Sequence, residues 1–160
     1  HPKTIKPLHN KNIPLIVKSF LTPEGDGTVI WADATLKEVM PVFIKKENQI
    51  LISITPIDFS FVMGDNLSRI FHSFIKHGIK VNLVEASAVI IDVCVDDDRV
   101  KINKLISDLK TEYSAVYNDK IEMLTIRHYT PDAIDLVTGG REILLEQRTR
   151  STVRFVVRQE

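Results

Sequence analysis

The stretch Ile50–Asn118 constrains this chain more than any other, because its hydrophobic period switches between that of a strand and that of a helix in a fixed order. Ile50, Ile52 and Ile54 alternate with Leu51, Ser53 and Thr55, the pattern of a strand. Pro56 and then Gly64-Asp65-Asn66 break the run, with Gly64 for the turn and Asp65 as a helix cap. Leu67, Ile70, Phe71, Phe74 and Ile75 follow at helical spacing, and Gly78 stands where a left-handed residue would end that helix. Ile79, Val81 and Leu83 predict a second strand, and Val89, Ile91, Val93 and Val95 a third. Asp96-Asp97-Asp98 reads as a helix start, since carboxylates cap free N–H groups and suit the positive helix end. Ile102, Leu105, Ile106 and Leu109 make the second apolar stripe, and Ala115–Asn118 a short closing strand. Strand, helix, strand, strand, helix, strand is the split βαβ order, an antiparallel sheet with both helices on one face.

The flanks are less regular. His1–Asn10 is polar, with Pro2 and Pro7, and predicts one or two helical turns between prolines. Ile13–Phe20 is apolar and strand-like; it runs into the loop Thr22–Gly27 and a brief extended piece, Thr28–Trp31. That opening strand has no evident local partner, which predicts a piece of a longer chain whose first strand pairs with a sheet upstream. Phe43–Lys45 and Gln49–Ile54 read locally as a hairpin around Lys46-Glu47-Asn48. Ile121 and Met123 and, one register off, Leu124 and Ile126 predict the next strand. Thr130 then caps a short helix with Pro131 at its first position, Ala133, Ile134 and Val137 as its apolar side, and Gly139-Gly140 as its stop. Ile143–Arg148 and Thr152–Arg158 are two more strands, the second half-buried, with Val153, Phe155 and Val157 facing the core. This second unit lacks a final helix within the 160 residues.

Charge and motif content exclude several functions. Lys+Arg and Asp+Glu both number 21, so nothing draws the chain as a whole to nucleic acid or an anionic membrane, and no apolar run is long enough to span a bilayer. Arg148, Arg150, Arg154 and Arg158 read as a solvated face or a charge partner. An RNA-binding module of the same topology would need base-stacking aromatics on its central strands, where this chain has Ile, Val, Ser and Asn. No phosphate-binding loop, dinucleotide turn, nucleophile elbow or zinc-protease helix is present, so no catalytic residue is assigned. Three consecutive aspartates fan out rather than converge on one ion, and no metal ligand is assigned either. His72 and His77 do not share a helix face and read as surface residues. Cys94 is the only cysteine; it reads as a packed thiol and fits the reducing cytoplasm.

His1-Pro2-Lys3-Thr4-Ile5-Lys6-Pro7, then Ile13–Phe20 (IPLIVKSF), then Pro23 and Gly27-Thr28-Val29-Ile30 resemble, in order and spacing, the segment that leaves the kinase domain of aspartate kinases. Ile50–Asn118 resembles the first of that family's two regulatory ACT domains, with Gly78–Leu83 similar to its helix exit and second strand. The resemblance covers nearly the whole chain. It implies an α+β fold of two ferredoxin-like ACT domains, the first inserted within the second, behind a short leftover of a kinase domain. Residues 1–31 would be the kinase-domain tail and linker, 50–118 the first ACT domain, and 41–46 plus 121–160 the second. The residues around 43–54 would then not form a hairpin: their first strand would join the second domain and their second would start the first.

The same resemblance implies function. The parent enzyme would phosphorylate L-aspartate with ATP, at the head of lysine, threonine and methionine synthesis. ATP and Mg would bind only in its kinase domain, so this fragment needs no cofactor and is not itself catalytic. Its partners would be an amino-acid effector (lysine or threonine foremost), its own kinase domain through Phe20–Trp31, and a second copy joined through the ACT domains. The effector would lie between the loop Met63-Gly64-Asp65-Asn66-Leu67, whose free N–H groups suit an α-carboxylate, and the facing second strand with Asn82, Glu85 and Ser87. Asn82 stands where the family commonly has Asp, and Glu85-Ala86-Ser87-Ala88 where it has Thr-Thr-Ser-Glu. Ser87 matches; two carboxylates that would hold a ligand ammonium are lost, and Glu85 is placed to replace one. A ligand-free ACT dimerisation module is the alternative, and a nucleic-acid module is favoured only by the terminal arginines.

Overall fold

The computed structural model describes residues 2–31 and 39–159; His1 of the opening motif and Glu160, assigned above to the second unit, lie outside them. The chain divides into two units, His1–Val39 and Met40–Glu160. In the first, α1 (Pro2–Asn10) is a single nine-residue helix that runs through Pro7, and β1 (Leu15–Val17) pairs antiparallel with β2 (Thr28–Ile30). The opening strand therefore has a local partner, contrary to the expectation of an upstream one. The loop between them returns at Gly27, whose φ is 71° and where a Cβ would lie 2.7 Å from the Val17 carbonyl oxygen, so only glycine fits.

The second unit is one antiparallel sheet of six strands with three helices. Its elements are β3 (Val42–Pro56), α2 (Asp65–Lys76), β4 (Val81–Ala86), β5 (Ile91–Asp96), α3 (Arg99–Leu109), β6 (Tyr113–Arg127), α4 (Pro131–Thr138), β7 (Ile143–Arg148) and β8 (Thr152–Arg158). The strand order is β4-β5-β3-β6-β8-β7. Phe43–Lys45 and Gln49–Ile54 belong to the single strand β3, and Ala115–Asn118 and Ile121–Ile126 to the single strand β6. Neither the local hairpin nor the short closing strand exists. The N-terminal half of β3 pairs with the C-terminal half of β6, and the reverse.

Each long strand crosses between the two halves at a bulge. Lys46 faces Met123 and Gln49 faces Ile121, which leaves two residues of β3 opposite one of β6. Leu51 then faces Asn118, so Asp119 and Lys120 stand opposite Ile50 alone. Asn48 and Lys120 adopt φ of 53° and 51° there. A bulge reverses which side chains face which way. Lys45 and Phe43 thereby lie beside Leu124 and Ile126 on the helix-bearing face, and Lys46 beside Met123 on the opposite one.

Both faces of the sheet are covered. On the outer face, Ile50, Ile52 and Ile54 pack with Ile91, Val93 and Val95 under Ile70 and Phe74 of α2 and Ile102, Leu105 and Leu109 of α3. Ile75, placed on the α2 stripe by spacing, is instead exposed at the margin of the helix. In the other half, Leu124, Ile126, Val153, Phe155 and Val157 pack under α4, capped by Thr130 as its sequence predicts. The inner face curls on itself: Leu51, Leu83 and Cys94 from one half meet Ile121, Leu145 and Val156 from the other. Val156 is thus buried where a half-buried β8 would leave it in water. Ile121 and Met123 face this inner core while Leu124 and Ile126 face α4, so the register break within β6 is two buried faces of one strand. Val81 and Leu83 also point to opposite faces, because Asn82 sits in a β4 bulge.

Candidate functional site

The loop before α2 is anchored from both sides. Val62 is fully buried, and its N–H donates to the Ala88 carbonyl at 2.8 Å, which ties the loop to the β4–β5 turn. Gly64 takes φ 78°, ψ −125° and is the N-cap residue; α2 begins at Asp65 with no side-chain cap, so Asp65 is a first-turn carboxylate and not the cap. A Cβ on Gly64 would meet nothing within 4 Å, so space is open beside this residue. The uncapped N–H groups there have the positive end of the helix behind them.

The other predicted residues distribute unequally about this start. Asn66 turns inward. Its Nδ2 donates to Ser60 Oγ and the Phe61 carbonyl, both at 2.9 Å, and its Oδ1 accepts from Tyr113 Oη at 2.8 Å. It fixes the loop against β6. Leu67 packs against the outer core, whereas Met63 is exposed, as are Ile57, Phe59 and Phe61 earlier in the same loop and Val89 of the β4–β5 turn. Ser87 lies in the neighbouring turn, where its hydroxyl donates to the Ile90 carbonyl and accepts from the Ile90 N–H.

Asn82 stands apart, five residues back along an extended strand, roughly 16 Å from Ser87. It belongs to a polar network on the inner face. Asn82 Oδ1 accepts from Lys46 Nζ at 2.9 Å; its Nδ2 donates to Gln49 Oε1 at 2.8 Å and Asp96 Oδ1 at 2.9 Å. Lys46 also pairs with Asp96 at 2.5 Å, and the buried Gln49 donates to Asp96 at 2.9 Å. Lys46 first, then Gln49, pushes the Asp96 carboxyl down to about 2. Cys94 borders this network, 3.7 Å from Gln49 Oε1, and burial pushes its thiol up to about 12. That is the packed thiol its flanking valines predict.

Glu85 is held from the opposite end of the sheet. Its Oε2 accepts from Gln147 Nε2 at 2.9 Å, and the same amide donates to the Val84 carbonyl at 2.9 Å. The eight predicted residues thus fall into three groups: the α2 start with Ser87, Asn82 in its network, and Glu85 on Gln147. Sequence reasoning missed Gln49, Lys46 and Gln147. Only the bulges and the curl bring these residues to β4, and no sequence periodicity reports either.

Elsewhere the aspartate triplet separates as expected. Asp96 holds Lys46, Asp97 holds Arg99, and Asp98 accepts from the Lys101 N–H as the α3 cap. Arg148, Arg154 and Arg158 hold Glu146, Gln147 and Glu142. On the outer face beside α4 is a cavity of about 450 Å³, with Phe43, Leu124, Ile126 and Val137 in its walls. The fully buried Glu122 stands at its edge, its Oε1 accepting from Arg141 and its Oε2 facing Lys45 at 2.9 Å as an ion pair without hydrogen-bond alignment. Burial pushes that carboxyl up, but Lys45 and Arg141 more than offset it and leave it below the usual range. No helix among the described residues is long and apolar enough to cross a membrane.

No family model matches the chain. Among curated proteins, Aspartokinase 3, chloroplastic, of Arabidopsis thaliana is 32% identical over 107 residues, 66% of this chain and 19% of that protein. The chain spans about a fifth of the length of the curated relatives it matches. Among solved structures, Clostridium acetobutylicum aspartate kinase superposes with a TM-score of 0.79 at 17% identity, over 99% of this chain and 41% of its own. Escherichia coli aspartokinase III in complex with lysine and aspartate gives 0.72 at 18%, over 99% and 38%. The regulatory subunit of aspartate kinase from Thermus thermophilus gives 0.55 at 14%, over 72% and 86%. At such identities the structures speak to the fold alone.

Proposed function

The chain belongs with the aspartokinases and has the fold of their regulatory regions, and on that premise we propose that it senses an amino acid and feeds that signal back onto a kinase. The observation that carries this reading is the start of α2. Its N–H groups have no side-chain cap, space is open beside Gly64, and the Val62–Ala88 bond holds the loop beside the turn that carries Ser87. An α-carboxylate fits that end of the helix, and the β4 carboxylate we propose for an ammonium is Glu85, two residues before Ser87, with its Oε2 held by Gln147. Lysine and threonine are the effectors we favour. The E. coli structure that this fold superposes on is a complex with lysine and aspartate.

On this reading the parent enzyme is an ATP-dependent aspartate kinase of the cytoplasm, with ATP and Mg held by its kinase domain. An effector that prefers one arrangement of the ACT domains shifts the population toward it and, through the first residues of the chain, changes the kinase. A coupling of about 1–3 kcal/mol suffices.

A second reading has its own support. Asn82 is committed to Lys46, Gln49 and Asp96, and Ile57, Phe59, Phe61, Met63 and Val89 leave an exposed apolar rim around the loop. Such a rim suits a ligand-free module that pairs with a second copy. Thermal unfolding against lysine, threonine, methionine and other amino acids separates the two. A ligand of the native state raises the midpoint as RT ln(1 + [L]/Kd) grows. The sensor reading expects a rise with one or two amino acids at millimolar concentration. No rise with any, together with a dimer in sedimentation, makes the second reading the correct one.

A further inference from the structure

The two halves of the sheet are built on matching residue pairs, and the match fails in one place. In the first half Ile52 faces Tyr117 and Ile54 faces Ala115 across β3 and β6, and the isoleucines pack under α2 and α3. In the second half Leu124 faces Lys45 and Ile126 faces Phe43 across the same two strands, but among the described residues α4 is the only helix over that half. The cavity of about 450 Å³ lies over these two pairs, walled by Phe43, Leu124, Ile126 and Val137. Ile50 stands two residues before Ile52, and Glu122 stands two residues before Leu124; both are fully buried. A carboxylate thus holds the place of a core isoleucine at the edge of a cavity.

A buried carboxylate is costly unless cations and hydrogen bonds offset it. Glu122 Oε1 accepts from Arg141, a residue of the cavity wall. Glu122 Oε2 makes no hydrogen bond and faces Lys45 Nζ at 2.9 Å. Lys45 is half-exposed and has a second carboxylate, Glu47, at 3.0 Å, so it can leave Glu122 and keep an ion pair. These contacts select the chemistry of an occupant. An anion would compete with Glu122 for Lys45 and Arg141. A neutral molecule that displaced Lys45 would leave the buried carboxylate short of one cation. A primary ammonium replaces Lys45 one for one, brings three donors to the oxygen that lacks a hydrogen bond, and lets an apolar body fill the walls.

We propose that the cavity beside α4 is a ligand site for a primary amine with an apolar body, its ammonium seated on Glu122 and Lys45 released to Glu47. The site uses neither the α2 start nor β4, so it stands or falls independently of the sensor reading.

The test is a methyl NMR titration of the 160-residue chain with phenethylamine, its uncharged counterpart phenethyl alcohol, hydrocinnamate and phenylalanine. We expect phenethylamine to shift the Leu124, Ile126 and Val137 methyl signals saturably at millimolar concentration, and the other three to bind there at least about tenfold more weakly. K45M removes the competing cation and should tighten amine binding about threefold or more, whereas E122Q should weaken it about tenfold. K45M alone decides the exchange of cations should E122Q fail to fold. Equal binding of phenethyl alcohol would show an apolar hole with no use of Glu122, and tighter binding of hydrocinnamate or phenylalanine would show an anion site; either overturns the proposal. Amine affinity unchanged or weakened in K45M, or no saturable shift of these methyl signals in the wild type, overturns it as well.

Discussion

Asp96 shows how far one residue can depart from its sequence context. Three aspartates in a row read as a helix start, and Asp98 does cap α3. Asp96 instead ends β5, and Lys46, Gln49 and Asn82 converge on it. Its folded carboxyl, pushed down to about 2, lies below its ordinary value. A depressed carboxyl contributes stability that is present above its unfolded value, near pH 4, and lost as pH falls toward 2. The Asp96 side chain is 54% exposed, so solvent screening limits the contribution to under about 1 kcal/mol. D96N should therefore lower stability at neutral pH by under about 1 kcal/mol and flatten the acid limb between about pH 4 and pH 2, the two profiles converging at the acid end. An unchanged limb in equilibrium unfolding would show that the network contributes nothing through this charge.

At the scale of elements, local chemistry and tertiary contact carry different parts of the fold. α4 is set locally. Thr130 Oγ1 accepts from the Ala133 N–H at 3.2 Å, Pro131 opens the helix, and Gly140 leaves it at φ 78°. T130A should cost about 1 kcal/mol, the ordinary value of a lost N-cap, read as a shift in urea midpoint without a change in slope. α2 is the contrary case: its start has no cap, and the loop before it is held by Asn66 and Val62 through contacts to β6 and the β4–β5 turn. The long strands β3 and β6 are longer than their periodic stretches because the bulges let each change partner faces without ending. The sequence marks those points only weakly, as polar interruptions at Lys46-Glu47-Asn48 and Asn118-Asp119-Lys120. A polar interruption between apolar runs is also what a hairpin turn looks like.

For the whole molecule, the decisive feature is the curl that buries the inner face. Leu51 alternates with Ile50 and Ile52, so a one-sided sheet would leave it in water; here it is 4% exposed. L51A should destabilise the chain by about 2–4 kcal/mol, as buried leucine truncations do, whereas a solvent-facing leucine would cost under about 0.5 kcal/mol. Chemical unfolding distinguishes the two. The same curl gives the candidate site its unequal fate. It carries Gln147 to Glu85, and the bulge at Glu47-Asn48 turns Lys46 to the face where Asn82 lies.

The sequence by itself determined the order of elements, the outer cores, the helix caps at Asp98 and Thr130, the buried thiol and the turn at Gly64, while Asp65–Leu67, read as loop, belong to α2. These follow from periodicity and turn chemistry, which act over a few residues and are written in consecutive side chains. Tertiary structure decided the continuity of β3 and β6, the pairing of β1 with β2, the second buried face, and the separation of Asn82 from the α2 start. Each of these depends on how strands far apart in sequence meet. A one-residue bulge reverses every side chain beyond it, and a sheet's twist and curl sum over all six strands. No local run of residues records that sum, so Lys46 and Gln147 reach β4 only once the sheet has closed on itself.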